Sequence, residues 1–337
     1  MSEIITEKGI NLDEIYVDEI LRLDQILSKK LNISRNQVAN LIKDANVKIN
    51  DKTILKSSFT PKFNDKITIN LPQISPLKQT QKVDFDVEII YEDEDILVIN
   101  KQPNLVVHPA PSVKEATLVE WLKDKNYMLS TINGEFRAGI VHRLDKGTSG
   151  AMVVAKNNKA HAALSKQLSD KSMGRIYLAC LDLPLKQNLL IDKPIGRNPN
   201  NRLKKAVISD GRVAKSAFLN IYSDAGLNLV AAKLFTGRTH QIRVHLASIN
   251  RHILGDTLYG FKSENDKIPR VMLHAYLLYF THPTTGKRVE FVANLWSDFL
   301  NLIDKDKNKE QIHEQILPDT ISGGFRDCDG WMCLNIT

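Results

Sequence analysis

Cysteine is nearly missing. Cys180, Cys328 and Cys333 are the three cysteines among 337 residues, too few for a disulfide framework, so the fold must rest on its apolar core. Cys328 and Cys333 have no second Cys/His pair nearby to complete a zinc site, and reduced thiols are expected. Nowhere do apolar residues run for the roughly 20 positions that a membrane helix needs. The opening segment, Met1 to Lys8, has neither the positive start nor the apolar core of a signal peptide. The expectation is a cytoplasmic protein with no membrane partner. No G-x-G-x-x-G or G-x-x-x-x-G-K-[ST] pattern follows a strand-like run, which argues against a nucleotide cofactor. What is present is ordinary for one or two globular domains: 42% hydrophobic and 25% charged residues. Positive charge is in excess, with a net +7. The excess falls in residues 16–78 and 79–305, while both ends are acidic. This distribution favours a polyanionic partner, whose counterions Lys and Arg would release.

The pattern divides the chain into five parts. Residues 1–15 read as an N-terminal extension and 16–72 as a small α+β module. Residues 73–83 form a polar linker, and 84–305 a long mixed segment. Residues 306–337, charged at first and then aperiodic, read as a loosely ordered tail. In the small module, Leu23, Ile26, Leu27 and Leu31 recur at helical spacing, and Ser34 is a good N-cap for a second helix carrying Val38, Leu41 and Ile42. Val47 and Ile49, then Ile67, Ile69 and Leu71, alternate as short strands, with Asn50-Asp51 and Asn64-Asp65 at turns. The long segment has strand-like runs at Val87–Tyr91, Ile96–Ile99, Gly150–Ala155, Ile176–Leu181, Ala217–Tyr222 and Leu229–Leu234. Helical runs cover Thr117–Lys125 and Lys159–Ser169. Strands outnumber helices, which predicts an α+β class with a mixed, largely antiparallel sheet.

The helices of the small module carry Arg22, Lys29, Lys30, Arg35 and Lys43. Such charges serve equally well as a solvated face. Together with Arg22-Leu23-Asp24, Ser34-Arg35, Leu41-Ile42-Lys43, Val47-Lys48-Ile49-Asn50 and Asn64-Asp65-Lys66-Ile67, they make the module resemble the S4 RNA-binding domain. It departs from that family at Ala45, Asp51 and Asn64, where glycine is usual. Asn and Asp replace a turn glycine cheaply, whereas Ala does so at a greater cost.

The most informative stretch is His142-Arg143-Leu144-Asp145-Lys146-Gly147-Thr148-Ser149-Gly150, a polar loop wedged between apolar segments. Basic residues flank Asp145 and favour its negatively charged carboxylate, which could act as nucleophile or base. A carboxylate that merely stabilises the loop reads the same way from the residues alone. A basic stretch follows later, with Arg197, Arg202, Lys204 and Lys205 about the loop marked by Asn198-Pro199-Asn200-Asn201. It reads either as a solvated loop or as an RNA contact. His240 and His245 have no carboxylate or Cys partner in sequence and read as hydrogen-bonded structural groups. No metal ligand set is expected.

The loop containing Asp145 resembles the defining motif of the RluA family of pseudouridine synthases, His-Arg-Leu-Asp-x-x-Thr-Ser-Gly, without a departure. Arg175-Ile176-Tyr177-Leu178-Ala179 and Thr236-Gly237-Arg238-Thr239-His240-Gln241-Ile242-Arg243-Val244-His245 are similar to the family's second and third motifs. Asp95 to Lys101, Val106 to Ala110, Ile253 to Gly260, Leu273-His274-Ala275 and His282-Pro283-x-x-Gly286 agree in order. Gln102-Pro103-Asn104 and Asn250-Arg251-His252 depart from the usual loops. The resemblance covers about residues 16–300. It implies that Asp145 is the catalytic nucleophile, that Tyr177 stacks on the target base, and that Arg243 pairs with Asp145. Arg143 is expected to contact phosphate or fill the space of the extruded base. No metal or organic cofactor takes part in such a reaction. An S4 module ahead of the catalytic domain implies 23S ribosomal RNA as partner. Transfer RNA is the alternative substrate, and a non-catalytic S4-type binder the alternative function. A monomer is expected.

Overall fold

A computed structural model describes residues 11–31, 35–43, 45–70, 82–110, 113–132, 134–224, 226–261 and 268–326. The chain divides into two units, Met1–Thr80 and Gln81–Thr337.

The first unit contains β1 (Asn11–Tyr16), α1 (Leu23–Leu31), α2 (Arg35–Lys43), β2 (Val47–Ile49), β3 (Lys52–Thr53) and β4 (Lys66–Asn70). Leu23, Ile26 and Leu27 of α1 and Val38 and Ile42 of α2 fall on one face of each helix. They meet the alternating Val47, Ile49, Ile67 and Ile69 in a single core. The sheet order is β1-β4-β2-β3, all antiparallel. The segment taken as an N-terminal extension therefore supplies, from Asn11 onward, an edge strand of this sheet. Its pairing is long-range and left no strong alternation to read. Ala45, Asp51 and Asn64 have φ of 61°, 65° and 64°. These three positions, where the S4 resemblance places glycine, all need the left-handed backbone. The N-cap expected at Ser34 and nearly all of the linker expected over 73–83 lie outside the described residues, as do Cys328 and Cys333.

The second unit runs β5 (Glu88–Glu92), β6 (Ile96–Lys101), α3 (Leu118–Asp124), β7 (Ser149–Ala155), α4 (Asn158–Asp170), β8 (Gly174–Leu181), β9 (Leu189–Asp192), β10 (Ile195–Arg197), β11 (Lys205–Val207), β12 (Lys215–Asp224), β13 (Leu227–Leu234), α5 (Gln241–Ala247), β14 (Leu273–Thr281), β15 (Arg288–Val292), α6 (Ser297–Asp304), α7 (Lys309–Gln315) and α8 (Pro318–Arg326). Among the described residues nine strands form one sheet in the order β5-β6-β7-β14-β8-β13-β12-β9, with β15 added to β14; β10 and β11 make a separate hairpin. Only the β7–β14 pairing among the described residues is parallel, so the sheet is mixed and largely antiparallel, as the sequence pattern predicts.

The period of two along β7 separates two cores. Met152 and Val154 face the larger core, shared with Trp121, Tyr177, Ile242 and Phe299. Ala151, Val153 and Ala155 face a smaller one under α4, with Ala160, Leu164 and Phe280. Small residues on that side let the helix approach the sheet. No helix among the described residues is long and apolar enough to cross a membrane.

The expected loose tail is corrected over 306–326. There α7 and α8 bury Ile312, Ile316, Ile321 and Phe325 in the larger core. Asp306 accepts a hydrogen bond from Tyr222 Oη at 2.9 Å, and Asn308 Nδ2 donates to the same hydroxyl at 2.8 Å. Pro318 splits the helical spacing into two short pieces, and Gly323-Gly324 dilutes the second. Neither piece is periodic for long enough to be read locally.

Candidate active site

Asp145 lies in the loop that leads into β7, and almost every other residue of its motif holds that loop in place. Leu144 is buried in the larger core. His142 Nε2 accepts the backbone N–H of Val153 at 3.1 Å. Burial pulls the His142 imidazole down to about 3, so the ring is neutral. Thr148 donates its N–H to the Asp145 carbonyl at 3.1 Å, closing a turn. Ser149 Oγ meets His274 Nδ1 at 2.9 Å, while His274 Nε2 lies 3.1 Å from the Ala293 carbonyl. A carbonyl can only accept, so Nε2 of His274 carries the proton and the Ser149 hydroxyl donates to Nδ1. Gly150 has φ of +112°, and a Cβ there would lie 2.3 Å from the Ala275 carbonyl oxygen. That close approach is what the single parallel strand pair requires.

Two buried cations hold the loop's carbonyls. Lys101 Nζ donates to Gln102, Leu105 and Lys146 carbonyls at 2.8, 2.9 and 3.3 Å. Burial, with the Arg270 charge, brings its pKa down to about 7, while Asp145 pulls it up. Three carbonyls match the three donors of the ammonium form. Arg270 is clamped by Asp298 at 2.6 and 2.8 Å and reaches the Gly147 carbonyl at 3.4 Å.

Asp145 faces a cleft of about 580 Å³, lined among others by Arg143, Tyr177, Arg238, His240, Arg243 and Leu273. Tyr177 enters from β8, where its register partners on β13 and β14 are Ala232 and Ala275. Alanine on both sides leaves room beside the ring. Its hydroxyl makes no hydrogen bond among the described residues. Burial raises the phenol's pKa against the opposing Arg175 charge, with a smaller rise from Asp145, so Tyr177 stays protonated. Arg243, on the short helix α5, reaches Asp145 Oδ2 with Nη1 at 3.2 Å. Its other edge forms a two-pronged bond to Asp256, Nε to Oδ2 at 2.7 Å and Nη2 to Oδ1 at 2.8 Å. Arg243 is 8% exposed and Asp256 1%, against 22% for Asp145. Burial works against the Arg243 charge, but Asp256 and Asp145 raise its pKa all the same. The guanidinium also lies 4.9 Å from the centre of the Tyr259 ring. Gly255 (φ +75°) allows the turn that aims Asp256 inward; a Cβ there would strike the Arg270 carbonyl.

The structure thus brings together Asp145, Tyr177 and Arg243, with Arg143 exposed at the rim. Sequence reasoning missed four contributors. Lys101, Asp256 and Tyr259 belong to stretches noted only for their resemblance, and His240 reads from sequence as a structural group. His240 reads differently in three dimensions: its Nε2 lies 3.7 Å from Asp145 Oδ2. His245 is the hydrogen-bonded structural group expected, held by Ser216 Oγ and the Lys193 carbonyl, each at 3.0 Å.

The basic residues divide into two kinds. In the first unit, Arg22 and Arg35 both bond the buried Asp24, Lys29 bonds Glu19 and Lys30 bonds Asp18. Those four cations are partly neutralised within the unit, and Lys43 is exposed. In the second unit, Arg197 and Lys205 lie on the β10–β11 hairpin, with Arg202 and Lys204 in its turn. Arg197 and Lys205 join Arg212 and Arg238 around a groove of about 1020 Å³, where Asp210 is the one acid among the described lining residues. This groove shares Gly237, Arg238 and Thr239 with the Asp145 cleft. At the opposite end of β7, Asp93, Asp95 and His282 approach one another. His282 Nε2 donates to Asp93 at 2.8 Å and its Nδ1 receives the N–H groups of Thr284 and Thr285, so the ring is used up in turn hydrogen bonds.

Comparison with known proteins shows the family. A family model described as RNA pseudouridylate synthase matches residues 95–248, and the S4 domain model matches 21–67. An uncharacterized RNA pseudouridine synthase of Helicobacter pylori is 47% identical over 312 residues, covering 90% of this chain and 95% of that protein. The ribosomal large subunit pseudouridine synthase D of Zymomonas mobilis is 38% identical over 289 residues, covering 82% and 91%. The solved structure of human RNA Pseudouridylate Synthase Domain Containing 1 superposes with a TM-score of 0.50 at 25% identity, covering 65% of this chain and 94% of that one. With its loop carboxylate, buried arginine fork and preceding S4 domain, this chain belongs to the RNA pseudouridine synthase family.

Proposed function

We propose that this pseudouridine synthase isomerises uridine in 23S ribosomal RNA, with Asp145 as its nucleophilic carboxylate. The observation that carries the reading is the fixed pair of Asp145 and Arg243. The guanidinium cannot turn away, because Asp256 holds its other edge in a buried two-pronged bond. Asp145 is therefore presented to the cleft as an oriented anion opposite Tyr177.

A uridine has to leave its RNA stack before its glycosidic bond can break, at a cost of a few kcal/mol. Stacking on Tyr177 offsets about 1–3 kcal/mol of that cost, and Arg143 at the rim is placed to occupy the vacated space. Asp145 then attacks C1′ or removes the C2′ proton to give a glycal. Both routes break the C1′–N1 bond and free the uracil, which turns in the cleft and bonds C1′ through C5. That step displaces the Asp145 ester or takes the C2′ proton back from Asp145 to C2′; the C5 proton then leaves to water and N1 gains one. The protonated Tyr177 hydroxyl orders a water at the ring edge rather than acting as a phenolate. The target assignment is supported by relatives named for the large ribosomal subunit and by the S4 domain. The cations of the β10–β11 hairpin and its groove supply phosphate contacts beside the cleft, where positive charge meets little opposing acid.

The test is to map pseudouridines in cellular RNA with the gene intact, deleted, and restored as Asp145→Asn. Specific large-subunit sites should vanish on deletion and stay absent with Asp145→Asn, while the purified variant keeps its RNA affinity. Normal turnover by Asp145→Asn would sink the catalytic assignment. Loss of transfer RNA sites alone would overturn the target.

A further inference from the structure

Tyr259 packs behind the site against Arg243 and His240, and the reaction proposed above leaves its hydroxyl unused. That oxygen accepts the backbone N–H of Lys205 at 2.8 Å and lies 2.8 Å from His240 Nδ1. The phenolic proton still has to be placed, and two arrangements exist. If His240 Nδ1 carried a proton and donated to Tyr259, Nε2 would turn a bare lone pair toward Asp145 Oδ2 at 3.7 Å. The phenolic proton would then have no acceptor. If Tyr259 donates to Nδ1, each donor has an acceptor, and Nε2–H faces the carboxylate. The second arrangement satisfies both electrostatics and hydrogen-bond accounting.

The surroundings support a neutral ring with one defined tautomer. Burial lowers the His240 pKa while Asp145 opposes it, with smaller effects from Arg243, Asp256 and Lys205. Burial raises the Tyr259 phenol, which keeps its proton. His240 is held at φ +60°, an uncommon conformation for a residue with a Cβ, and its ring stands edge-on to Tyr259 at 88°. The backbone is committed to placing this imidazole.

We infer that Tyr259 is a positioning residue whose hydroxyl fixes the His240 tautomer that presents Nε2–H to Asp145. At 3.7 Å that N–H is a second positive pole beside Arg243 and short of a full hydrogen bond. Such contacts tighten when substrate fills a site. Because the Lys205 amide opens β11, RNA seated on the basic hairpin would also steady Tyr259 and the tautomer it sets. The inference rests on Asp145 being the reacting carboxylate.

Nitrogen-15 NMR of the histidine-labelled full chain reads the two ring nitrogens of His240, assigned by the loss of signal in His240→Gln. Wild type should show a protonated Nε2 and a bare Nδ1. Tyr259→Phe keeps the ring beneath Arg243 but should lose that preference. Single-turnover pseudouridine formation at saturating large-subunit RNA transcript should fall about tenfold in Tyr259→Phe, the scale of one charge-assisted hydrogen bond. The half-saturating RNA concentration should move less than twofold. The double variant with His240→Gln should lose no more than the worse single variant, because the two side chains act as a unit. A wild-type ring protonated at Nδ1, a full rate in Tyr259→Phe, or losses that multiply would each overturn the inference. If Asp145→Asn keeps its rate, the catalytic assignment fails instead, whatever the ring nitrogens read.

Discussion

Replacing Asp256 with Asn isolates what the buried fork does. The change keeps shape and volume but swaps one acceptor oxygen for an N–H₂ group. In either orientation of the amide, one of the two guanidinium donors now at 2.7 and 2.8 Å meets another donor. A buried N–H without an acceptor costs about 1–3 kcal/mol. Removing one partner of a buried ion pair costs about 3–5 kcal/mol in all. Because Asn keeps one bond and Arg243 keeps Asp145 at 3.2 Å, about 3 kcal/mol is expected. For a unit of this size, that shifts the melting midpoint down by roughly 6–12 °C. The freed guanidinium should also loosen Asp145. Misplacement of a reacting group by about 1 Å can cost about 10²-fold, so kcat should fall 10- to 100-fold. RNA affinity should stay unchanged, since Asp256 is 1% exposed and reaches no ligand. Calorimetry gives the midpoint, and single-turnover assays well below it give the rate. A variant that loses stability yet keeps its rate within twofold would falsify the claim that the fork orients Asp145. One that loses less than about 1 kcal/mol would refute the burial argument itself.

Two further perturbations test other links. Ala45→Gly should stabilise the first unit by about 1 kcal/mol, because φ of 61° strains a residue with a Cβ and not glycine. Hydrogen exchange in α2 and β2 of the full chain should slow roughly fivefold; faster exchange would contradict the strain argument. Acid should weaken the second unit before most of its carboxylates titrate. His142 and His274 are held neutral, with pKa values of about 3 and about 4, by burial. The unfolded chain takes up those protons first, near pH 6.5, so stability is full above that pH and is lost as pH falls toward the folded values. Each ring contributes up to about 1.4 kcal/mol per pH unit below its unfolded value and half that slope at pH 6.5, so moving from pH 6.5 to 5 should cost roughly 3 kcal/mol in urea titrations. A flat profile over that window would show that these rings are not held neutral.

Much of this protein is legible in one dimension because the signals are local. The apolar run after Asp145 became a fully buried strand, and the alternation at Val47–Ile49 and Ile67–Ile69 became paired strands of the first unit. The left-handed turns at Asp51 and Asn64 were readable because Asn and Asp tolerate that backbone, whereas the one at Ala45 was marked only by the glycine that the S4 resemblance places there. Asp145, Tyr177 and Arg243 could be named, 98 residues apart at the extremes, only because each sits in a distinctive motif.

The rest was decided by contacts between segments distant in sequence. Nothing local distinguishes Lys101 from a surface lysine. It is buried because the strand β6 ends beneath the loop whose carbonyls it binds. Asp256 and Tyr259 look like turn residues until α5 brings Arg243 and His240 against them. The tail from Asp306 to Arg326 is helical because the larger core has room for Ile312, Ile321 and Phe325, whereas its own spacing is broken by Pro318 and two glycines. The sequence by itself singled out Asp145 among the carboxylates. Only the tertiary structure decided what holds it there, since an ion pair gains its rigidity from burial, and burial is a property of the whole fold.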